Sequence, residues 1–168
     1  LQKLLNVAAN RPLKVGPQVI VEIVQESIRL LKYQLLVKNV TCLIDAPSTI
    51  SSVAGAFEQL VQLFFNILKN ASDASLHAGE IEIQIQESRL RDGRLAVEVA
   101  ITDSGEGISP SNLDRAFDPF FSTKPVGCGT GLGLSIARQI VAAHQGEIEL
   151  KNSPGKGATT TVLLPVFI

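Results

Sequence analysis

Tryptophan and methionine are absent from this sequence, tyrosine occurs once, and only two cysteines and two histidines are present. Cys42 and Cys128 stand far apart, without the spacing of metal ligands, and read as two free thiols in a reducing cytosol. Excess charge of either sign is also missing, with 15 Lys and Arg against 16 Asp and Glu. The net charge of -1 brings no general attraction to an anionic membrane, and no basic groove with interleaved aromatics marks a nucleic-acid surface. No apolar run reaches the roughly 18 residues of a membrane span, and no signal peptide opens the chain. Internal repeats and low-complexity tracts are lacking too.

What remains is 168 residues, 45% apolar and 18% charged, enough for one folded domain with a full core. Leu1 to Ala9 has helical spacing without a start signal and is stopped by Asn10-Arg11-Pro12. It opens mid-pattern and without Met, so residues 1–15 read as the end of a preceding helix or linker in a longer protein, and residues 16–168 as the domain. Pro17 is placed at the N-terminus of an amphipathic helix running to about Leu36. Asn39 to Asp45 is short and β-branched and predicts a strand, followed by a loop. Glu80 to Glu87 and Arg94 to Thr102 alternate strictly and flank Asp92-Gly93, a strong hairpin signal. Gly146 to Lys151 and Ala158 to Pro165 form a second hairpin, after a helix from Leu132 to His144.

Gln59 to Ala74 has the apolar spacing of a buried helix, with Leu60, Leu63, Phe64, Ile67, Leu68 and Ala71 at steps of three and four. Gln62, Asn66, Asn70 and Asp73 recur at the same steps and make a second, polar stripe. Two readings stay open for it: a half-exposed helix, or one wall of a polar ligand site. Asp103-Ser-Gly105-Glu-Gly107-Ile108 follows a strand directly, so its carboxylate is projected from a strand end while the glycines let backbone approach a ligand. Gly127-Cys-Gly129-Thr130-Gly131-Leu132-Gly133-Leu134 leads into a helix and exposes backbone N–H groups where helix potential is positive, which suits phosphate. It is neither a Walker A nor a good Rossmann sequence. Between these lies a loop of Phe117, Phe120, Phe121 and Lys124, long enough to act as a lid. The aromatics pin it down or close over a ligand, and Lys124 can reach a terminal phosphate.

Four of these motifs, in this order, resemble the catalytic, ATP-binding domain of sensor histidine kinases, within the superfamily shared with gyrase, heat-shock chaperone and mismatch-repair ATPases. Asn66-Ile-Leu-Lys-Asn70-Ala resembles its N box, Asp103-Ser-Gly105-Glu-Gly107 its G1 box, Phe117-Asp-Pro-Phe120-Phe121 its F box, and Gly129-Thr-Gly131-Leu-Gly133-Leu its G2 box. Gly155-Lys-Gly157-Ala-Thr-Thr-Thr161 is similar to the family's terminal hairpin. The wording of the F and G2 boxes is closest to the nitrogen-regulation and oxygen-sensing branch.

The resemblance implies an α/β fold, a two-layer Bergerat-type sandwich whose mixed sheet of about five strands is backed by three helices, with an ATP lid. It implies ATP and Mg²⁺ as cofactors: Asn66 on Mg²⁺, Asn70 on phosphate or metal-bound water, Asp73 near the base or ribose, and Asp103 on the adenine amino group. Gly105, Gly107, Ile108 and Phe120 would shape the pocket. Thr159 would bridge the aspartate to the base, and Gly129, Thr130, Gly131, Leu132, Gly133, Leu134 and Lys124 would surround the phosphates. Hydrolytic relatives carry a Glu where this chain has Asn66, a carboxamide that cannot act as a base. That implies slow hydrolysis and transfer to a histidine, with Asn66 and Lys124 as the catalytic residues and any base on the partner.

No phosphoacceptor motif is present. His77 lies in a loop and His144 closes a helix, so the acceptor is expected on a separate dimerisation domain. The implied downstream partner is a response-regulator receiver domain; neither nucleic acid nor direct membrane contact is expected, and the compartment is the cytoplasm. A nucleotide-binding module without kinase activity and a gyrase-like ATPase are the competing readings. Ala54-Gly55-Ala56 leaves the N-box helix without a side-chain cap, a loss of about 1 kcal/mol.

Overall fold

The computed structural model describes residues 14–124 and 129–168. The expected helical tail at Leu1 to Pro12, and Gly127 and Cys128, lie outside the described residues. In chain order the elements are β1 (Gly16–Gln18), α1 (Ile20–Leu30), α2 (Lys32–Lys38), β2 (Thr41–Asp45), β3 (Val53–Gly55) and α3 (Phe57–Ala74). They continue with β4 (Glu80–Arg89), β5 (Leu95–Thr102), α4 (Pro110–Leu113), α5 (Gly133–Ala143), β6 (Glu147–Asn152) and β7 (Ala158–Pro165).

Alternation builds the sheet. Ile81, Ile83 and Ile85 of β4, Val97, Val99 and Ile101 of β5, and Val162 and Leu164 of β7 all point to one buried face. The order is β2-β4-β5-β7-β6, with β2 parallel to β4 and the other pairs antiparallel. Helices cover one face: α3 packs between α1 and α5 and brings Leu60, Leu63, Phe64, Ile67 and Leu68 onto the isoleucines. This is the mixed five-stranded α/β arrangement that the resemblance implies.

Pro17 does not start a helix. It lies in β1, which pairs antiparallel with β3, Pro17 opposite Ala54, and the helix begins at Ile20 after Val19. A two-stranded ribbon leaves Pro17 at an edge, where its missing N–H costs no ladder bond. The expected single helix to Leu36 is broken at Leu31 (φ -92°, ψ 0°) and ends at Lys38, where Asn39 takes the left-handed cap conformation (φ 53°). The strand predicted from Asn39 therefore starts at Thr41. β3 also has a partner on its other side, because Val166 bridges Val53 and the Phe167 N–H donates to the Ser52 carbonyl at 2.8 Å.

The C-terminus of α3 is fastened from α2. Lys38 Nζ donates to the carbonyls of Ser72, Asp73 (3.1 Å) and Ser75 (2.9 Å). An ammonium on orphan carbonyls at a helix end is favourable by charge as well as by hydrogen bonding.

Candidate functional site

The end of β5 places Asp103 beside the C-terminus of α3 and the start of β7. Its side chain is buried, with the residue 8% exposed. Oδ1 accepts from the Gly105 N–H at 2.9 Å and from the Ala158 N–H at 3.2 Å. The main chain is tied to the same strand: Asp103 N–H donates to Ala158 O and Gly157 N–H to Asp103 O. Oδ2 has no partner among the described residues. Burial pushes the Asp103 carboxyl above its ordinary value, against the pull of the two backbone donors. A carboxylate held by one oxygen offers the other as an acceptor for a ligand donor.

Two glycines make this fit. A Cβ on Gly157 would stand 1.8 Å from Asp103 Oδ1, and one on Gly105 would stand 2.6 Å from the Ala74 carbonyl oxygen. Ser75, which sequence reading did not single out, joins α3 to the turn. Its Oγ donates to Ala71 O at 2.8 Å and accepts from Ser104 N–H at 3.4 Å. Gly107 takes φ 82°, and the following Ile108 is only partly exposed.

Thr159 is not on the side of Asp103. It pairs with Thr102, and their hydroxyls meet at 2.8 Å on the sheet face opposite the helices. Strand alternation puts Ala158 and Thr160 on the buried face instead, so the bridging hydroxyl expected at Thr159 points the other way.

Along α3, the Asn66 Nδ2 is buried without a hydrogen-bond partner among the described residues. An orphaned carboxamide is the kind of buried polar group a ligand satisfies. Asn70 faces the start of α5, where a Cβ added to Gly133 would be 3.7 Å from both of its amide atoms. The first turn of α5 follows Leu132 and has no side-chain cap on its N–H groups. Thr130 Oγ1 accepts from Leu132 N–H at 3.4 Å, and Leu134 is partly buried in the helix.

Both carboxylate oxygens of Asp73 are engaged within the protein. Oδ1 accepts from Gln34 Nε2 at 2.7 Å, and Oδ2 takes Lys69 Nζ at 3.1 Å together with Lys124 Nζ. Burial pushes its carboxyl up, but the hydrogen bonds from Lys124 and Lys69 outweigh that and hold it below its ordinary value. Lys124, expected at a phosphate, is thus engaged by Asp73 across the loop.

The Phe-rich loop is held by rings under guanidinium groups. Arg115 lies 4.5 Å above the Phe121 ring centre and Arg138 of α5 5.9 Å from that of Phe117. Phe120 is 77% exposed and has φ 64°. Gly131 (φ 65°) crosses its backbone so closely that a Cβ there would stand 2.4 Å from the Phe120 carbonyl carbon. Gly129 meets only side chains, of Ser122 and Lys124.

His144 satisfies the backbone N–H of Ala56 itself and leaves the first-turn N–H groups of α3 without a side-chain cap. The Ala56 N–H at the start of α3 donates to His144 Nε2 at 3.1 Å, and Nδ1 lies 2.8 Å from the Ile140 carbonyl. Those two bonds require a neutral ring with its proton on Nδ1. With both nitrogens engaged and the residue 5% exposed, His144 is closed to phosphorylation. His77 lies exposed after α3.

Two grooves lie away from these residues, one at Asp45–Pro47 against β4 and one between α1, α2 and β2. Among the described residues no group of three His, Cys, Asp or Glu side chains stands ready to hold a metal unaided, and no helix is long and apolar enough to cross a membrane.

The profile of the histidine kinase-, DNA gyrase B- and HSP90-like ATPase family matches residues 55–168. The sensor histidine kinase ZraS of Salmonella typhimurium is 34% identical over 146 residues, 87% of this chain and 30% of that protein. The chain therefore spans about a third of that relative's length. Among solved structures, the mycobacterial sensor histidine kinase MprB superposes with a TM-score of 0.76 at 25% identity, covering 90% of this chain and 97% of the other. Full-length ShkA, solved in complex with AMPPNP, gives 0.75 at 26% identity, covering 95% of this chain and 33% of that one.

Proposed function

As a member of the histidine kinase-, DNA gyrase B- and HSP90-like ATPase family, the chain carries, we propose, the ATP-binding catalytic domain of a sensor histidine kinase, formed by residues 16–168. The observation that carries this reading is Asp103, buried in a glycine cradle with one oxygen fixed and the other free. That geometry suits the exocyclic amino group of adenine. The solved ShkA complex with AMPPNP supports a nucleotide as the ligand of this fold.

Asn66 and Asn70 line the path from the base end toward the α5 N-terminus, whose free N–H groups suit the phosphates. Gly129, Thr130, Gly131, Leu132, Gly133 and Leu134 deliver those groups, with Phe120 packed against Gly131; Gly105, Gly107 and Ile108 border the base side. The donor set fits Mg²⁺, since the carboxamide oxygen of Asn66 is the hard oxygen atom that such a site takes as its one protein ligand, while its Nδ2 is the atom buried without a partner among the described residues. Mg²⁺ held there would supply charge neutralisation at the phosphates. Lys124 leaves Asp73 to reach the terminal phosphate.

The reaction moves the γ-phosphoryl group from ATP to a histidine of a separate dimerisation domain. The bond to the bridging oxygen breaks, ADP departs, and an imidazole nitrogen takes the phosphorus as its proton passes to a base on the partner or to water. Positioning and charge stabilisation are what the chain contributes. Asn66 cannot deprotonate water, which favours transfer over hydrolysis. A response-regulator receiver domain is the expected next acceptor, and the cytoplasm, where ATP is available, the expected compartment. The loop wording supports the nitrogen-regulation branch.

Calorimetric titration of ATP with and without Mg²⁺, on wild type and Asp103→Ala, tests binding. Incubation with labelled ATP tests transfer: label should appear on an added phosphoacceptor domain and not on His77 or His144. Stable self-labelling, or no heat at millimolar ATP, would falsify the reading.

A further inference from the structure

Asn152, the last residue of β6, makes a contact that none of the sequence motifs contains. Its Oδ1 accepts from the Ile108 N–H at 2.8 Å and its Nδ2 donates to the Ile108 carbonyl at 2.7 Å. A carboxamide is the side-chain copy of a peptide group, so this reciprocal pair extends the sheet by one rung across the terminal hairpin. The same oxygen lies 2.9 Å from where a Gly107 Cβ would stand, at a residue already at φ 82°. Asn152 is opposite Ala158 in the β6–β7 register, and the Ala158 N–H holds Asp103 Oδ1. The turn after Asp103 is therefore gripped at both ends by one hairpin, at its start by Ala158 and at Gly107–Ile108 by Asn152.

We infer that Asn152 is a positioning residue for the base pocket: its bidentate bond to Ile108 sets the height of the Gly105–Ile108 turn beneath the purine and so sharpens the preference for adenine. This rests on the nucleotide reading given above. Asn152 is exposed, so its substitution leaves the core intact and the effect is local.

Asn152→Ala removes both bonds, while Asn152→Asp keeps the acceptor for the Ile108 N–H and loses the donor. Three quantities are read: hydrogen exchange at the Ile108 amide, affinities for ATP and GTP, and melting temperature. Asn152→Ala should speed Ile108 exchange, weaken ATP binding roughly tenfold through the displaced turn, and narrow the ATP-over-GTP preference. Asn152→Asp should fall between, and neither variant should melt earlier. Undiminished ATP binding and preference in the variants, with wild type binding ATP, overturns the positioning role alone. Equal losses for ATP and GTP accompanied by earlier melting overturn it too, in favour of a purely structural bond. A wild type that binds no ATP, even with Ile108 protected, sinks the nucleotide reading and this role with it.

Discussion

Around Asp103 the chain is stitched backbone to backbone, and glycines close the remaining space to less than a methyl group. Across the Phe117–Gly133 segment the ties among the described residues also include rings under arginines and a lysine on an aspartate, beside a backbone bond from Phe121 N–H to Asp118 O and the close approach of Gly131 to an exposed Phe120 at positive φ. The first region is preorganised and tolerates no added atom. The second is held by contacts that are individually weak and exchangeable.

The most severe test of that contrast is Gly157→Ala. The new methyl would lie 1.8 Å from Asp103 Oδ1, so the carboxylate must move; ATP binding should be lost, with roughly 3 kcal/mol of overpacking strain in denaturant unfolding. Normal calorimetric binding by this variant would mean that the Asp103 end is not rigid.

Asp103→Asn comes next. It presents an NH₂ where the ligand needs an acceptor, and should weaken ATP binding about a hundredfold, near 3 kcal/mol. Its stability effect should depend on pH with a definite sign. Burial raises the folded-state value of Asp103 above the ordinary 3.8, so its contribution is fully present below 3.8 and is lost as pH rises through the raised value. Asp73 runs the other way: its folded-state value is lowered from 3.8, so its contribution is present above 3.8 and lost as pH falls through the lowered value. Unfolding curves should show Asp103→Asn gaining on wild type at neutral pH and Asp73→Asn losing. Both differences should shrink in acid; like signs for the two variants would refute the contrast.

His144→Ala leaves the Ala56 N–H buried without its acceptor and should destabilise the fold by roughly 2 kcal/mol, an earlier melting of about 4–8 °C for a chain of this size. The smallest effect is expected at the adjustable end. A Cβ on Gly129 meets Ser122 Oγ at 3.0 Å and Lys124 Cδ at 3.1 Å, both on movable side chains, so Gly129→Ala should change melting by less than about 0.5 kcal/mol. A loss as large as that of Gly157→Ala would erase the distinction between the regions.

The five-stranded sheet and the helices were legible because alternation in Glu80–Thr102 and the three-and-four spacing of Leu60 to Ala71 are local signals. β1 was not, since three residues around a proline carry no period, and its stability comes from β3 some 35 positions away, Gln18 opposite Val53. The break at Leu31 falls inside a continuous apolar pattern and left no mark on it. In α3, the polar stripe marked Asn66 and Asn70 as sharing one helix face. The engagement of Asp73 by Gln34, the acceptor that His144 gives the Ala56 N–H and the outward turn of Thr159 depend on partners brought together only by folding. The strand period could have separated Thr159 from Thr160, had the register at Thr102 been fixed first.

The small ribbon at the entry to α3 has a mechanical side. Gln18 and Val166 both grip Val53, and Gly55 stands two residues ahead of the first turn of the amide-bearing helix. A pull on Gly16 would therefore load the three β1–β3 residue pairs in shear, right beside the start of that helix.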